Sequence, residues 1–229
     1  METAIVPLGD QAALVYFERQ AVRDEEVSAE TAALQFAERI RQAGWPWVVD
    51  VVQAYASVGV YFDLNQMDFA DVAAVLRQHL AADCSAPATG KLHVIPCCYE
   101  LALDLPRVAE HTRLTVPEVI RWHCRTVYTV YAIGFCPGFP YLGYLPPALC
   151  EVPRLATPRI RVEAGSVGLT GRQTGIYTEQ RPGGWNLVGR TPLLLVDVAD
   201  SFFPLRTGDQ VRFEPIDRAA FNKLRGQRL

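Results

Sequence analysis

The chain of 229 residues is long enough for one large domain or two small ones, each able to bury a hydrophobic core. Hydrophobic residues make up 50% of it and charged residues 21%, and a net charge of −3 gives no attraction toward nucleic acid or an anionic membrane surface. No apolar run reaches the roughly 18–20 residues of a membrane span, and the first residues lack the basic start of a signal peptide. We therefore expect a cytoplasmic protein that binds neither nucleic acid nor membrane.

The first part of the chain predicts a compact α+β domain over residues 1–83. Two β-rich runs flank the turn signal Leu8-Gly9-Asp10, a helical spacing of apolar residues ends at Gly44, and the small, Pro-containing stretch Ala82–Gly90 is typical of a linker. In chain order the predicted elements are strands Thr3–Pro7 and Ala12–Glu18, helix Asp24–Ala43, strands Val48–Tyr55 and Ser57–Phe62, and helix Asp68–Ala81.

The second part, residues 90–229, predicts two helices followed by a β-barrel. Thr115 is placed to cap the second helix, and from Arg159 onward short strands recur about every 8–12 residues with Gly-rich turns, a spacing that favours a closed barrel. The predicted elements are strand Lys91–Pro96, helices Leu105–His111 and Thr115–Cys124, strands Val127–Ile133, Ile160–Glu163, Ser166–Thr170, Gly175–Thr178, Trp185–Gly189, Leu193–Val198 and Gln210–Pro215, and helix Asp217–Arg225.

The cysteines and histidines form no metal-binding or disulfide pattern. The 6 Cys contain no CxxC, and the 4 His contain no HxH or HExxH. The adjacent Cys97 and Cys98 are better interpreted as buried small side chains than as a redox or metal pair, and His123 as a packed histidine hydrogen-bonded to backbone. Cys136 has no partnered histidine that would indicate a nucleophile. We expect no structural metal and no disulfide.

The segment from Tyr131 to Thr191 carries the strongest functional signal. About half of the chain's 16 Gly and 16 Pro lie in it, together with aromatic residues and six arginines. Gly and Pro shape loops, and Arg, Gln, Ser and Thr beside them offer donors to an anionic or amide-like ligand.

Several motifs in this segment resemble the KipI family, which comprises the 5-oxoprolinase B subunit (PxpB), an inhibitor of a sporulation histidine kinase, and allophanate hydrolase subunit one. They are GFCPGFPYLG, the pairs Pro153-Arg154 and Pro158-Arg159, AGSVG, QTGIY, PGGW and GRTP, in family order. The sequence departs mildly at Glu163, Thr178 and Arg181, where the family often has Pro, Pro and Ser.

The resemblance implies a cyclophilin-like β-barrel behind the α+β domain. It also implies a function as the B subunit of an ATP-dependent 5-oxoprolinase, which converts 5-oxoproline to glutamate together with a sister cyclophilin-like subunit and a LamB/YcsF-type subunit. ATP, with Mg²⁺, would be bound at a site shared with a partner. The chain has no Walker A sequence and no GxGxxG.

Candidate site residues follow from the chemistry that opening an amide would need. Positive donors must surround a transferring phosphoryl group, and the substrate carboxylate must be bound. We assign catalytic roles to Arg159, Gln173 and Arg190. Substrate binding is assigned to Arg154, Gly165, Ser166, Thr174, Gly175 and Thr191.

Structural roles compete with these assignments. The glycines can simply satisfy turns, Arg154 can form an ion pair, and the aromatic residues Phe135, Phe139, Tyr141 and Trp185 are more often core or interface residues than stacking platforms. Two alternative functions also stay open: a module that binds a sensor histidine kinase without turnover, and a subunit that processes urea or allophanate with a biotin-dependent partner.

Overall fold

The computed structural model describes residues 3–18, 28–80 and 90–229. The chain divides into two compact units, Met1–Ala88 and Thr89–Leu229. The linker predicted over Ala82–Gly90 lies almost entirely outside the described residues. Within the described ranges, no helix is both long and apolar enough to cross a membrane.

The first unit is an antiparallel sheet with two helices packed on it. The strand order is β1–β2–β4–β3, in which every neighbouring pair is antiparallel. The elements are β1 (Thr3–Pro7), β2 (Ala12–Phe17), α1 (Ala29–Ala43), β3 (Val48–Ala54), β4 (Ser57–Phe62) and α2 (Phe69–Leu80).

Alternation along the strands gives this unit its core. Val15 of β2 and Val58 and Val60 of β4 are fully buried, whereas their neighbours Tyr16 and Tyr61 point away and are exposed. The buried side chains pack with those of α1 and α2 in one hydrophobic cluster. The predicted elements are thus present, although one boundary is wrong.

Helix α1 begins later than its predicted start at Asp24. The Ser28 side chain accepts a hydrogen bond from the Thr31 N–H, so it caps a helix that starts at Ala29, and Gly44 ends it in the left-handed conformation as predicted. The remainder of that prediction, residues 24–27, lies outside the described residues.

The second unit is built around a ring of seven strands. Their order is β12–β9–β10–β7–β6–β13–β5, and two backbone hydrogen bonds between Cys98, just after β5, and Arg190, at the end of β12, close the ring. The strands are β5 (Leu92–Cys97), β6 (Val127–Ile133), β7 (Pro140–Gly143), β9 (Ser166–Thr170), β10 (Gln173–Ile176), β12 (Asn186–Arg190) and β13 (Gln210–Pro215).

Smaller elements cover this ring. Strands β8 (Arg159–Val162) and β11 (Arg181–Gly183) pair with each other, and the helices are α3 (Leu105–Thr112), α4 (Val116–Arg125) and α5 (Arg218–Leu224). Thr115 caps α4 as predicted, within a capping box that includes Glu118. The ring interior, with α3 and α4, forms one hydrophobic cluster, in which Cys97 is fully buried.

The structure contradicts one strand prediction in this unit and adds two strands that the sequence does not predict. The predicted strand Leu193–Val198 is wrong: only isolated bridges at Leu194 and Asp197 occur there. Strands β7 and β11 were not predicted, because each is short and contains a proline, which removes a backbone donor and normally argues against a strand. Cys97 and Cys98 are both fully buried and unpaired, as predicted.

Candidate functional site

One cavity of the second unit lies where β12 leaves the ring. It has a volume of about 190 Å³, and its lining includes Gly165, Arg190, Thr191, Arg225 and Gly226. The remaining walls are Ala164, Tyr177, Thr178, Pro192, Leu193, Leu194, Leu195 and Phe221. We call it the arginine cavity.

Gly165 is the residue that lets the walls of this cavity meet. Its φ is +81°, and a Cβ atom there would lie 2.4 Å from the Thr191 carbonyl oxygen. Its N–H donates to the Tyr177 carbonyl at 2.7 Å, and its own carbonyl accepts from the Thr191 N–H at 2.9 Å. The Gly165 N–H, assigned above to substrate binding, therefore donates within the fold.

The arginine cavity has a positive lining. The Arg190 Nε–H donates to the Ala164 carbonyl at 3.0 Å, which fixes the guanidinium at the rim. Within the described ranges, its terminal nitrogens and the whole Arg225 guanidinium form no hydrogen bond or ion pair, and no carboxylate lines the cavity. The arrangement suits an anionic group of a ligand.

The second cavity, the aromatic cavity, has a volume of about 290 Å³. Five aromatic rings form most of its wall, and one arginine, Arg154, is its single charged residue. Its lining consists of Phe135, Phe139, Tyr141, Arg154, Pro158, Tyr177, Pro182, Gly183, Gly184 and Trp185.

The rings of the aromatic cavity hold one another edge to face. Phe139 is at the centre: its centroid lies 4.9 Å from that of Tyr141, 5.3 Å from Tyr177 and 5.6 Å from Trp185. Phe135 packs edge to face on Phe139, at a centroid distance of 5.4 Å, and on Tyr177, and is 57% exposed. The interpretation of these aromatics as packed residues is confirmed for Phe139 and Trp185, which belong to a small core cluster separate from the main one.

Tyr177 lines both cavities and is held firmly between them. Burial raises the pKa of its phenol, partly offset by a hydrogen bond from the Trp185 backbone. A Cβ atom at Gly183 would lie 2.2 Å from the Tyr177 hydroxyl oxygen, so only glycine leaves room for this side chain.

Arg159, a predicted catalytic residue, is in neither cavity lining. Its guanidinium forms an ion pair with Asp104 at 2.7 Å, and the other oxygen of that carboxylate accepts from the Leu187 N–H at 2.7 Å. The side chain of Arg159 is 27% exposed and that of Asp104 8%. This pair joins β8 to β12 through the start of α3.

Thr174, Gly175 and Gln173 also lie away from both cavities. Thr174 is fully buried, its hydroxyl donates to the Gly168 carbonyl at 2.9 Å, and it lies 3.1 Å from His123 Nε2. Gly175 allows the close approach of Phe139, and Gln173 starts β10 opposite Gly143 and Thr170.

His123 is packed as predicted, but its ring bonds to side chains rather than to backbone. Nδ1 lies 2.7 Å from the Tyr99 hydroxyl and Nε2 contacts Thr174, while the ring stacks on Phe213 at a centroid distance of 4.6 Å. Complete burial lowers the pKa of His123 from 6.5 to about 3, so the imidazole is neutral.

The structure thus separates the predicted site residues into three groups. Gly165, Arg190 and Thr191 meet at the arginine cavity, with the buried Ser166 paired to Arg190 across β9 and β12. Arg154 alone reaches the aromatic cavity. The others lie in the interior or pair within the fold. Sequence reasoning missed Arg225 and Tyr177; the tyrosine stands inside the QTGIY motif, which could have indicated it.

Comparison with known proteins agrees with the motifs. The family described as carboxyltransferase domain, subdomain C and D, matches residues 3–203. A Bacillus subtilis protein, named as the B subunit of 5-oxoprolinase, is 33% identical over 234 residues, which cover 95% of each chain. The chain belongs to the 5-oxoprolinase B-subunit family. A Haemophilus influenzae protein of the same name is 41% identical over 72% of this chain and 78% of its own length.

Solved structures show the same fold. The protein TTHA0988 superposes with a TM-score of 0.76 at 33% identity over 91% of this chain, which spans 40% of the length of that protein. The K. lactis urea amidolyase superposes with a TM-score of 0.75 over 97% of this chain, but at 17% identity the likeness is one of fold. Family membership and fold are therefore supported independently.

Proposed function

We propose that this chain is the B subunit of an ATP-dependent 5-oxoprolinase, which opens the lactam of 5-oxoproline to give glutamate. The observation that carries the proposal is the 33% identity, over 95% of both chains, to the Bacillus subtilis protein that bears this name. We further propose that the second unit is a cyclophilin-like barrel and that its partners are a sister barrel subunit and a LamB/YcsF-type subunit.

The chemistry needs an activated amide, because resonance makes the lactam carbonyl a poor electrophile. In the proposed reaction the lactam oxygen attacks the γ-phosphorus of ATP and ADP leaves. Water adds to the activated carbon, and the ring C–N bond breaks as the nitrogen takes up a proton. A second water then hydrolyses the resulting acyl phosphate to glutamate and phosphate. Each phosphorylated species carries negative charge that cationic donors can stabilise.

The arginine cavity fits the anionic part of this reaction. Arg190 is held by its Nε–H on the Ala164 carbonyl, which leaves the terminal nitrogens directed to a ligand, and Arg225 adds a second guanidinium. Two planar guanidinium groups suit a phosphoryl or carboxylate group. Among the described residues no carboxylate lines the cavity, so this lining offers Mg²⁺ no carboxylate ligand.

Reconstitution tests the proposal. The chain is mixed with the sister barrel subunit and the LamB/YcsF-type subunit, and glutamate and ADP are measured with 5-oxoproline and ATP. We expect both products in equal amounts, and only in the full mixture. A mixture that forms none, although its other two subunits are active with an authentic B subunit, would refute the proposed function.

A further inference from the structure

We propose that the aromatic cavity binds the lactam substrate, with the ring against Phe139, Tyr141 and Trp185 and the carboxylate on Arg154. The inference rests on the proposed function, since it assigns that function's substrate to a site. The ligand class is a small planar ring that carries one carboxylate.

The walls of the cavity select a ring. Five aromatic rings line the cavity, packed edge to face around Phe139, and offer apolar surface that suits a flat amide. Its volume of about 290 Å³ is at the lower limit of the roughly 300–1,000 Å³ of typical ligand pockets, so it suits a single small ring. The Tyr141 hydroxyl can hydrogen-bond a lactam N–H or carbonyl.

Arg154 supplies the charge that a carboxylate needs. It is exposed, and within the described residues its guanidinium forms no hydrogen bond and no ion pair. In the part of the chain that the structure describes, no acidic residue lines the cavity to neutralise it. A guanidinium presents parallel N–H donors that match the two oxygens of a carboxylate.

The cavity is already shaped for a ligand. Pro158 and Pro182 fix their own φ angles, and Gly183 leaves the space in which the Tyr177 hydroxyl lies. A rigid wall lowers the entropy lost on binding.

The two cavities share a wall. Because Tyr177 lines both, they adjoin at this side chain, and the lactam oxygen and the γ-phosphorus would have to meet beside it for the transfer. Arg154 therefore governs the affinity for 5-oxoproline, and Arg190 and Arg225 contact the phosphoryl group.

Steady-state kinetics of the reconstituted complex tests this assignment with Arg154→Gln and its matched control Arg121→Gln, an exposed residue of α4 that lines neither cavity. We expect Arg154→Gln to raise the KM for 5-oxoproline at least about tenfold and to leave the KM for ATP unchanged. The control should change neither. An unchanged KM for 5-oxoproline in an active complex overturns the site and leaves the proposed function intact.

A second measurement distinguishes the site from the function. Calorimetry follows binding of 5-oxoproline and of 2-pyrrolidinone, which lacks the carboxylate, to the chain and to its complex. We expect the wild type to prefer 5-oxoproline at least about tenfold and Arg154→Gln to lose that preference. If the complex is inactive but this preference depends on Arg154, the site stands and the function fails. If no 5-oxoproline binds, the site fails.

Phe135→Leu is a further variant that should disturb the fold little, because Phe135 is 57% exposed and leucine keeps an apolar side chain against Phe139 and Tyr177. Shortening this wall should raise the KM for 5-oxoproline about threefold, an estimate from the area that is lost. A normal KM in this variant and in Arg154→Gln would place the substrate elsewhere.

Discussion

Two regions of the second unit hold the same kinds of polar side chain in opposite states. Away from the cavities, the partly buried Arg159 is paired with Asp104, although its Nη1 is buried without a hydrogen-bond partner, and the hydroxyl of Thr174 is bonded to backbone and to His123. At the arginine cavity, Arg190 commits only its Nε–H. Polar groups with partners inside the fold stabilise it, and exposed donors that line a cavity without a partner can contact a ligand. The predicted site residues therefore fall into two roles, stabilising the fold and contacting a ligand, and each role can be tested separately.

The largest effect on stability is expected from Asp104→Ala. The change leaves the partly buried Arg159 without its carboxylate and the Leu187 N–H without its acceptor, and should lower the free energy of unfolding by about 3 kcal/mol. Urea unfolding measures it. Asp200→Ala is the control, because its carboxylate is 61% exposed and solvent screens its pair with Arg228, which should contribute little. Equal losses in the two variants would remove the distinction between the regions.

Arg190→Gln should lower the activity of the complex strongly and change its stability little. The loss of a terminal guanidinium that faces the ligand is expected to lower kcat of the complex about 100-fold, which corresponds to about 2.7 kcal/mol in the barrier. Urea stability should change by less than about 1 kcal/mol, since the variant loses one exposed hydrogen bond, from the Nε–H to the Ala164 carbonyl, and breaks no ion pair. Arg121→Gln serves as the control for both measurements. Full turnover in Arg190→Gln would show that the arginine cavity is not the reacting site.

Gly183→Ala tests whether Tyr177 must stay between the cavities. The new methyl group would lie 2.2 Å from the Tyr177 hydroxyl oxygen, so overpacking should cost about 2 kcal/mol in urea unfolding. The adjacent Gly184→Ala is a matched control, because its Cβ atom would be 3.5 Å from the nearest atom, an ordinary contact. Similar stabilities of the two variants would contradict the tight position of Tyr177.

The interior region should also respond to pH. Since burial lowers the pKa of His123 from 6.5 to about 3, the folded protein binds fewer protons than the unfolded chain between these values. Its contribution to stability is complete above pH 6.5 and falls by up to about 1.4 kcal/mol per pH unit below it. Urea unfolding at pH 6.5 and 5.5 measures the slope. His123→Gln should flatten it, and an unchanged slope would assign the effect to other groups.

Thr174→Val is expected to have the smallest effect. It removes the hydroxyl that bonds to Gly168 and His123 while keeping the shape of the side chain, and should cost about 1 kcal/mol of stability. The KM for 5-oxoproline should not change. Thr191→Val, which alters the cavity lining, is the comparison variant. A raised KM for 5-oxoproline in Thr174→Val but not in Thr191→Val would indicate that Thr174 contacts the substrate.

Most regular elements could be predicted from periodicity and caps, but the site could be predicted only in part. Thr115, Ser28 and Gly44 act locally, so cap signals place or correct helix ends within a few residues. The ion-pair partner of an arginine is not set by its neighbours in the sequence. Arg159 pairs with Asp104, which is 55 positions away, and no residue near Arg159 or Arg190 indicates which of them forms an ion pair. Arg225 was missed because it approaches Arg190 only in three dimensions. Strands β7 and β11 could not be predicted because each contains a proline, which lacks the backbone N–H donor of a strand and is rare there.

The closure of the ring at Cys98 and Arg190 links the arginine cavity to the order in which the fold assembles. Residues 92 positions apart must meet before Arg190 reaches its place, so this binding surface forms only with the long-range pairing of the unit. An anion bound to Arg190 would then stabilise the closure of the ring between Cys98 and Arg190. Its signature would be slower amide hydrogen exchange at both residues when ATP is present.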